Sequence, residues 1–335
     1  MKKLVKPIVL FSLCLLMADC ARNDNDYKSK LDVKVEPVSI AFERYEDVLF
    51  SLDTANFQSA LMAIQDQYQV FLGGDLTDPN AIQYLKDFAT DPFSVAIFEK
   101  VKQAFPNLDE VKPMVEDVLA HFHYYYPEIQ LPEKVYTCVT GINADEPAVQ
   151  IIDNSLVISL DWYLDGDEVY DQIGMPKYMQ PCTRLATLAR DVAKQLYMTY
   201  LYQWRKQGDV LNEMVYSGRL DYFIEAMCPK MADDVLMSWS PEQLEWFNEN
   251  EGAVWADIVG QRLLYETSLD SYLMFFGDGP FTQAYGNDSP ARLGEYFGLK
   301  IIRSYMVSHD LSLNQLIENS DFQGIFQDSG YKPRK

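Results

Sequence analysis

Histidine and cysteine are scarce in this chain. Its 335 residues include three His and five Cys. His121 and His123 are two positions apart, so they point to different sides of a helix, and His309 stands alone. No Cys-x-x-Cys pair, Gly-x-Ser-x-Gly elbow or glycine-rich phosphate loop occurs. These absences exclude a zinc ribbon and the common nucleophilic sites, and the sequence predicts no cofactor.

Positive charge is also in deficit. The chain has 28 Lys and Arg against 50 Asp and Glu, which gives a formal net charge of −22. A protein with this charge repels nucleic acid and anionic lipid surfaces. We therefore expect no nucleic-acid partner, and any attachment to a membrane has to come from a lipid group.

The apolar run from Ile8 to Met17 is too short to cross a bilayer, which takes about 20 apolar residues. It follows three lysines and leads to Cys20, which is the layout of a lipoprotein export signal. We predict that residues 1–19 are a signal peptide and that residues 20–37 are a polar tether. Asp19 stands where a small residue is usual, so a conventionally cleaved or an uncleaved signal is the alternative.

Cys20 is the predicted lipidation site, so the partner in the membrane is an acyl anchor in the lipid. Removal of residues 1–19 takes away three Lys and one Asp and changes the formal net charge from −22 to −24. Ala21 is not the Asp that retains many lipoproteins in the inner membrane of familiar Gram-negative systems. The sequence therefore predicts a lipid-anchored cell-envelope protein, on the outer membrane.

Three cysteines lie beyond this N-terminal region: Cys138, Cys182 and Cys228. Their odd number and wide spacing favour buried free thiols. A disulfide between two of them, formed in an oxidising compartment, is the alternative.

Hydrophobic residues make up 48% of the chain, enough for a sizeable core. Apolar residues recur at helical spacing over 57–72, 92–105 and 289–309, and Ser240 with Gln243 marks a helix start. Residues rich in Val, Ile and Tyr predict three strands, at 133–141, 148–154 and 155–163. We predict an α+β fold that is mostly helical, with one small mid-chain sheet. Its single domain spans 38–320, divided into helical residues 38–130, a sheet with helices at 131–230, and helical residues 231–320.

A helix is predicted over 183–206. Leu188, Val192, Leu196 and other apolar residues cover one half of it, while Arg190, Asp191 and Lys194 form a narrow charged stripe on the other. Such a stripe is most often a solvated face.

Four segments carry a resemblance to a known family. "SLDWYLDGDEVY", "LARDVAK", "SGRLDYFIEAM" and "SPARLGEYFGLKIIRSYM" resemble the gliding-motility lipoprotein GldB family, which is similar to a group of predicted zinc peptidases. The likeness runs from about residue 38 to 318. It implies a zincin-like domain, with the 183–206 helix in the position of the metal-binding helix, and a role in gliding motility or related envelope machinery.

The resemblance also implies which positions held the metal ligands. The peptidase motif His-Glu-x-x-His falls on Arg190, Asp191 and Lys194, and its acidic ligand falls on Ser217. A guanidinium and an ammonium have no lone pair to offer a metal. Each would also repel a dication about 4 Å away by several kcal/mol. We therefore expect a pseudo-metallopeptidase that is not an enzyme.

The function expected from these residues is protein–protein interaction through the degenerate cleft. Arg190 and Lys194 would pair with carboxylates of another envelope protein. The alternative at these positions is that Asp191 neutralises the cations locally, through its i, i+3 contact with Lys194.

Two other functions stay open. The first is a metal- or carboxylate-dependent hydrolase that uses Glu213, Asp221 or Glu225. The second is a surface protein that binds glycans or peptides through the aromatic segments 121–129, 196–204 and 271–281.

Overall fold

The computed structural model describes residues 26–143 and 146–333. Helices predominate, and four short strands form one sheet. In the first half of the chain the helices are α1 Asp26–Leu31, α2 Tyr45–Leu49, α3 Phe57–Ile64, α4 Gln69–Leu72, α5 Pro79–Thr90, α6 Pro92–Ala104, α7 Val111–Tyr125 and α8 Val169–Gln172. In the second half they are α9 Leu188–Leu196, α10 Val210–Met227, α11 Asp233–Met237, α12 Pro241–Gly260, α13 Leu269–Phe276, α14 Leu293–Ser308, α15 Leu313–Glu318 and α16 Phe322–Ser329. The strands are β1 Ala41–Arg44, β2 Lys134–Cys138, β3 Val149–Ile152 and β4 Ser155–Ser159.

The sheet has the order β1-β2-β4-β3. β1 and β4 run parallel to β2, and β3 is antiparallel to β4. Asp153 and Asn154 join β3 to β4 with positive φ values of 47° and 59°, as a tight hairpin turn requires. The three predicted strands are confirmed, although each is shorter than its sequence pattern. β1 lies in the range 38–130 that was predicted to be helical, and its four residues are extended because they pair with β2.

Helices cover both faces of the sheet. Val135 of β2 packs into the main core, which lies around α7, α9, α10 and α14. Its neighbour Tyr136 points the other way, into a smaller core under α2 to α5. Side chains of a strand alternate between faces, so adjacent residues serve different cores. A sheet buried on both faces holds the following segment, with α9, in a fixed position.

Most helix predictions are confirmed, with shifted ends. Asp91 caps α6 by accepting a hydrogen bond from the backbone N–H of Ser94, and Ser240 and Gln243 form the capping box that begins α12. The range 57–72 is not one helix, because a turn separates α3 from α4.

α10 and α14 cross at two glycines in the middle of the fold. Gly218 of α10 faces Gly298 of α14, and a Cβ atom at either position would overlap backbone of the other helix. Further along the same direction, Glu225 of α10 meets Arg303 of α14. The two helices can therefore approach closely only because neither glycine has a side chain.

The domain extends beyond the predicted range 38–320 at both ends. Residues 20–37 were predicted to be a tether, yet Tyr27 and Leu31 of α1 are each only 4% exposed and belong to the main core. At the other end, Ile325 of α16 is buried and Tyr331 donates a hydrogen bond to Glu251 at 2.7 Å. α1 belongs to the domain and not to a tether because its apolar side chains pack into the core, although the stretch around them is largely polar. The predicted signal peptide and Cys20 lie outside the described residues.

The described ranges contain no disulfide bond and no helix that could span a membrane. Cys138, Cys182 and Cys228 are free thiols, and the first and third are buried. Of the helices in residues 26–143 and 146–333, none combines the length and the apolar character needed to cross a bilayer.

Candidate functional site

α9 carries Arg190, Asp191 and Lys194, the positions on which the peptidase motif was predicted to fall. The predicted range 183–206 is divided: two 3₁₀ turns precede α9, and a π-helical turn, Tyr197–Leu201, follows it. Leu188, Val192, Ala193 and Leu196 are fully buried against the core. Tyr197 and Tyr200 both pack on neighbouring aromatic rings, with centroid distances of 5.3 and 5.8 Å to Phe223 and Phe122. The wide π turn lets both rings reach that aromatic group.

Arg190 is fixed within the protein. Its Nε and Nη2 atoms each lie 2.8 Å from Asp191 Oδ1, and its Nη1 donates a hydrogen bond to Ser238 Oγ. The second oxygen of Asp191 accepts a hydrogen bond from the Tyr163 hydroxyl at 2.9 Å. Burial, and then the nearby Asp191 carboxylate, raise the pKa of Tyr163 well above its ordinary value. The Arg190 side chain is only 12% exposed, so this part of the predicted stripe is not a solvated face.

Lys194 differs from Arg190 because it is exposed. The alternative of local neutralisation by Asp191 holds for Arg190, which binds Asp191. It does not hold for Lys194, since no ion pair in the described ranges joins Lys194 to Asp191. Lys194 instead acts electrostatically on two acidic residues, Asp221 of α10 and Glu295 of α14. Charged residues of α9, α10 and α14 therefore influence one another electrostatically.

Asp221 and Glu295 are two carboxylates that repel each other electrostatically, and they are named the Asp221–Glu295 pair. Burial, followed by repulsion from Glu295, raises the pKa of Asp221 well above its ordinary value, and Arg292 and Lys194 oppose this shift. Burial is also the largest effect on Glu295, whose pKa is raised although Arg292 and Lys194 lower it. Arg292 Nη1 lies 3.6 Å from Glu295 Oε2. Asp221 Oδ2 is buried, and no described residue donates a hydrogen bond to it.

Ser217 lies one helical turn before Asp221, but it contributes nothing to this cluster. Its hydroxyl is within hydrogen-bond distance of two carbonyl oxygens of its own helix, Glu213 O at 2.9 Å and Met214 O at 3.2 Å. A serine that bonds to the preceding turn has no free donor for a ligand.

The other two carboxylates of the hydrolase alternative are committed elsewhere. Glu213 accepts two hydrogen bonds from Arg205, at 2.8 and 2.5 Å, and one from Gly208 N at 2.7 Å. Glu225 accepts from both Arg303 and Tyr27. Glu213, Asp221 and Glu225 therefore have different surroundings and do not converge on one point.

Metal-ligating side chains are also dispersed. Within residues 26–143 and 146–333, no group of three or more His, Cys, Asp or Glu residues is placed to hold a metal ion. The Nδ1 atoms of His121 and His309 lie 2.8 and 2.9 Å from the carbonyl oxygens of Asp117 and Tyr305, one turn earlier in each helix.

The aromatic segments proposed for glycan binding are divided between core and surface. Phe122, Tyr126 and Tyr197 are almost fully buried. Trp204, in contrast, is 81% exposed in the loop before α10. The buried rings therefore serve packing, whereas Tyr124 and Tyr202, which are 50% and 43% exposed, lie at the surface with Trp204.

A groove of about 1010 Å³ opens next to the residues that contact Arg190 and Glu295. Ser238, which binds Arg190, and Arg292, which lies beside Glu295, both line it. Tyr178, Trp239 and Trp246 supply aromatic surface. This groove was not predicted from the sequence, because its walls come from three separate segments, within 177–182, 238–249 and 278–292.

Two of three comparisons with known proteins are negative: no curated protein and no solved structure matches this chain. The third is positive, because the family model described as gliding motility protein GldB matches residues 26–333. This range includes α1 and α16, which the sequence prediction of 38–320 had left out. The match covers most of the chain, so the protein belongs to the GldB family of gliding-motility-associated lipoproteins of the cell envelope.

Proposed function

We propose that this protein acts without catalysis, as an envelope lipoprotein whose degenerate peptidase-like cleft docks another envelope protein. One observation carries the proposal. Cations stand at the two positions where a zinc peptidase would have histidine ligands. Arg190 is bonded to Asp191 and Ser238, whereas Lys194 is exposed and free to meet a partner.

Coordination chemistry supports the absence of peptidase activity. Neither cation has a lone pair for a metal, and both would repel a dication in the cleft. Ser217, at the acidic ligand position, is bonded to its own helix. The proposal includes a zincin-like origin of the cleft. That origin would explain why the spacing of the peptidase motif fits this chain although its metal-ligating residues are absent.

Electrostatics support docking at Lys194. The domain is strongly acidic, so the exposed cation of Lys194 is a local point of attraction for a carboxylate. Arg190 cannot swing out to meet a partner without leaving Asp191 and Ser238. In this arrangement Lys194 makes the contact and Arg190 holds the surface rigid.

The proposed location is the outer membrane, through an acyl group on Cys20. Ala21 favours the outer membrane, because it is not the Asp that retains many lipoproteins in the inner membrane. Six residue steps separate Cys20 from Asp26, the first residue of α1, and they span at most about 20 Å. Because α1 is part of the core, such a short connection would keep the whole domain close to the bilayer.

Charge reversal at Lys194 tests the docking proposal. Tagged full-length protein would be recovered in mild detergent, and the proteins that co-purify would be quantified by mass spectrometry. We expect Lys194→Glu to reduce recovery of a reproducible envelope partner by about tenfold or more, since a like charge then faces the partner's carboxylate.

Lys332→Glu is the matched control, because Lys332 is also exposed and follows α16. This variant makes the same change in net charge and should leave recovery unchanged. Equal recovery with the native protein and Lys194→Glu would contradict docking at this cleft.

A second candidate function rests on the Asp221–Glu295 pair. Carboxyl groups with raised pKa values are the usual general acids of hydrolases. In this alternative the pair would act with a bound metal or alone. The measurement that closes the Discussion tests the metal-dependent form of this alternative. Peptide cleavage that survives a chelator and is lost in an Asp221→Asn variant would support the metal-free form.

A further inference from the structure

We infer that the groove beside the cleft binds a segment of the partner that carries lysine or arginine side chains around an apolar residue. The inference rests on the proposed docking function and specifies the chemistry of the partner. Three features of the groove carry it: its charge, the rigidity of its acidic wall, and its apolar surface.

The groove is lined mainly by negative charge. Five of its seven charged side chains are carboxylates. Both cations are already paired, because Lys177 lies 2.6 Å from Asp171 and Arg292 lies between Asp278 and Glu295. Four exposed carboxylates form no ion pair with any residue in the described ranges: Glu242, Glu245, Glu249 and Asp288. A cationic segment is the complement of this surface.

Three of these acids form a stripe on α12. Glu242, Glu245 and Glu249 are spaced i, i+3 and i+7, which places them on one face of the helix. Like charges at this spacing repel, and no lysine or arginine of the described chain offsets them. The opposite face of α12 is held in the core by Phe247 and Ile258, which are almost fully buried. The acidic stripe is therefore presented in a fixed geometry.

Apolar surface lies between the charges. Tyr178 and Met179 are each 39% exposed on one wall, and Trp246 lies on α12 beside the acidic stripe. Trp239 forms part of the floor and is held by a hydrogen bond from its ring nitrogen to Ala291 O at 3.1 Å. Rigid aromatic anchors beside charges are typical of protein-binding surfaces. A volume of about 1010 Å³ suits several side chains of a peptide.

The groove and the cleft are joined by one hydrogen bond, so one partner can occupy both. Ser238 lines the groove and binds Arg190, one turn before Lys194 on α9. An acidic residue of the partner would meet Lys194 while its basic segment lies along α12. The opposite charges of the two contacts would fix the direction in which the partner binds.

Synthetic peptides test this inference on the full-length protein in detergent. The probes are equal-length peptides of Lys and Leu, of Lys and Gly, and of Glu and Leu, with a panel of neutral oligosaccharides. Titration would follow the protein's tryptophan fluorescence, since Trp239 and Trp246 line the groove. We expect saturable binding of the Lys/Leu peptide, at least about tenfold tighter than that of either other peptide and weakened by salt.

Charge-reversal variants locate the binding. The combined variant Glu242→Lys, Glu245→Lys, Glu249→Lys should reduce affinity for the Lys/Leu peptide by about tenfold or more. The matched control is Glu99→Lys, Glu110→Lys, Glu128→Lys, which changes net charge equally at exposed positions outside the groove. A Glu→Gln version of the α12 variant gives the same test with less perturbation of the helix.

Three results would overturn the inference: equal binding of the Lys/Leu and Glu/Leu peptides, equal losses in the α12 and control variants, or saturable binding of an oligosaccharide in place of the peptide. The same variants separate this inference from the docking proposal. Partner recovery that depends on Lys194 but not on the α12 acids would leave docking standing and reject the basic segment. Peptide binding that depends on the α12 acids would support the groove even where Lys194→Glu has no effect.

Discussion

Gly298→Ala is expected to lower the free energy of unfolding by about 2 kcal/mol, and Gly298→Val by about 3 kcal/mol or more. A Cβ atom at this position would overlap the carbonyl group of Met214 in α10. Because the obstacle is backbone, no rotamer change can relieve it, and α10 and α14 have to separate. Separation would loosen the packing of both helices and the pair formed by Asp221 and Glu295. Urea unfolding followed by tryptophan fluorescence measures the effect.

Gly260→Ala is the control for this prediction. Gly260 ends α12, and a Cβ atom added there has no neighbour within 4 Å. Alanine is favoured over glycine in helices by up to about 1 kcal/mol, so this variant should be neutral or more stable. A Gly298→Ala protein that resists urea as well as the native chain would show that the helices do not depend on this contact.

Arg303→Met is expected to destabilise the domain by about 3–5 kcal/mol, the usual effect of removing one partner from a buried ion pair. Arg303 binds Glu225 through Nε at 3.1 Å and Asp233 through Nη1 at 2.8 Å, and its side chain is 8% exposed. Methionine removes the ion pair and the hydrogen bonds that Arg303 supplies to both carboxylates. It also removes the guanidinium from its place over the Tyr27 ring, 4.5 Å from the centroid.

The effect should be greatest at α1, so limited proteolysis is the second measurement. Tyr27 donates a hydrogen bond to Glu225, and its ring covers Arg303, so loss of Arg303 should expose the chain near α1 to protease before the rest unfolds. Lys177→Met is the control, since its ion pair with Asp171 is exposed and worth less than about 1 kcal/mol. Equal losses of unfolding free energy in Arg303→Met and Lys177→Met would show that the buried ion pair of Arg303 contributes no more than an exposed one.

The sequence was sufficient for the parts of the fold that depend on local patterns. Segments rich in Val, Ile and Tyr predicted β2 to β4, and the Ser240 capping signal predicted the start of α12. β1 was missed because its four residues are extended only through pairing with β2. α1 was missed because Tyr27 and Leu31 are isolated in a polar stretch, and only their tertiary contacts give them a place in the core.

The site was predictable in its residue types and not in its contacts. The absence of lone pairs at Arg190 and Lys194 follows from the sequence, whereas a former acidic ligand at Ser217 is implied only by the family resemblance. Asp191 binds Arg190 and not Lys194. This choice depends on Tyr163, which bonds to Asp191, and on Ser238, which bonds to Arg190, and both residues are distant in the chain. Glu295 was not identified as a partner of Asp221, because the two meet only through the crossing of α10 and α14.

Metal content, measured with peptidase activity, tests the central claim most directly. Full-length protein, purified without chelator and supplied with zinc, would be desalted and examined by elemental analysis and by cleavage of a mixed peptide library. With cations at 190 and 194, we predict far less than one zinc ion per chain and no cleavage that a chelator abolishes. Stoichiometric, tightly held zinc that is lost in an Asp221→Asn variant, together with chelator-sensitive peptide cleavage, would contradict the account and support the hydrolase.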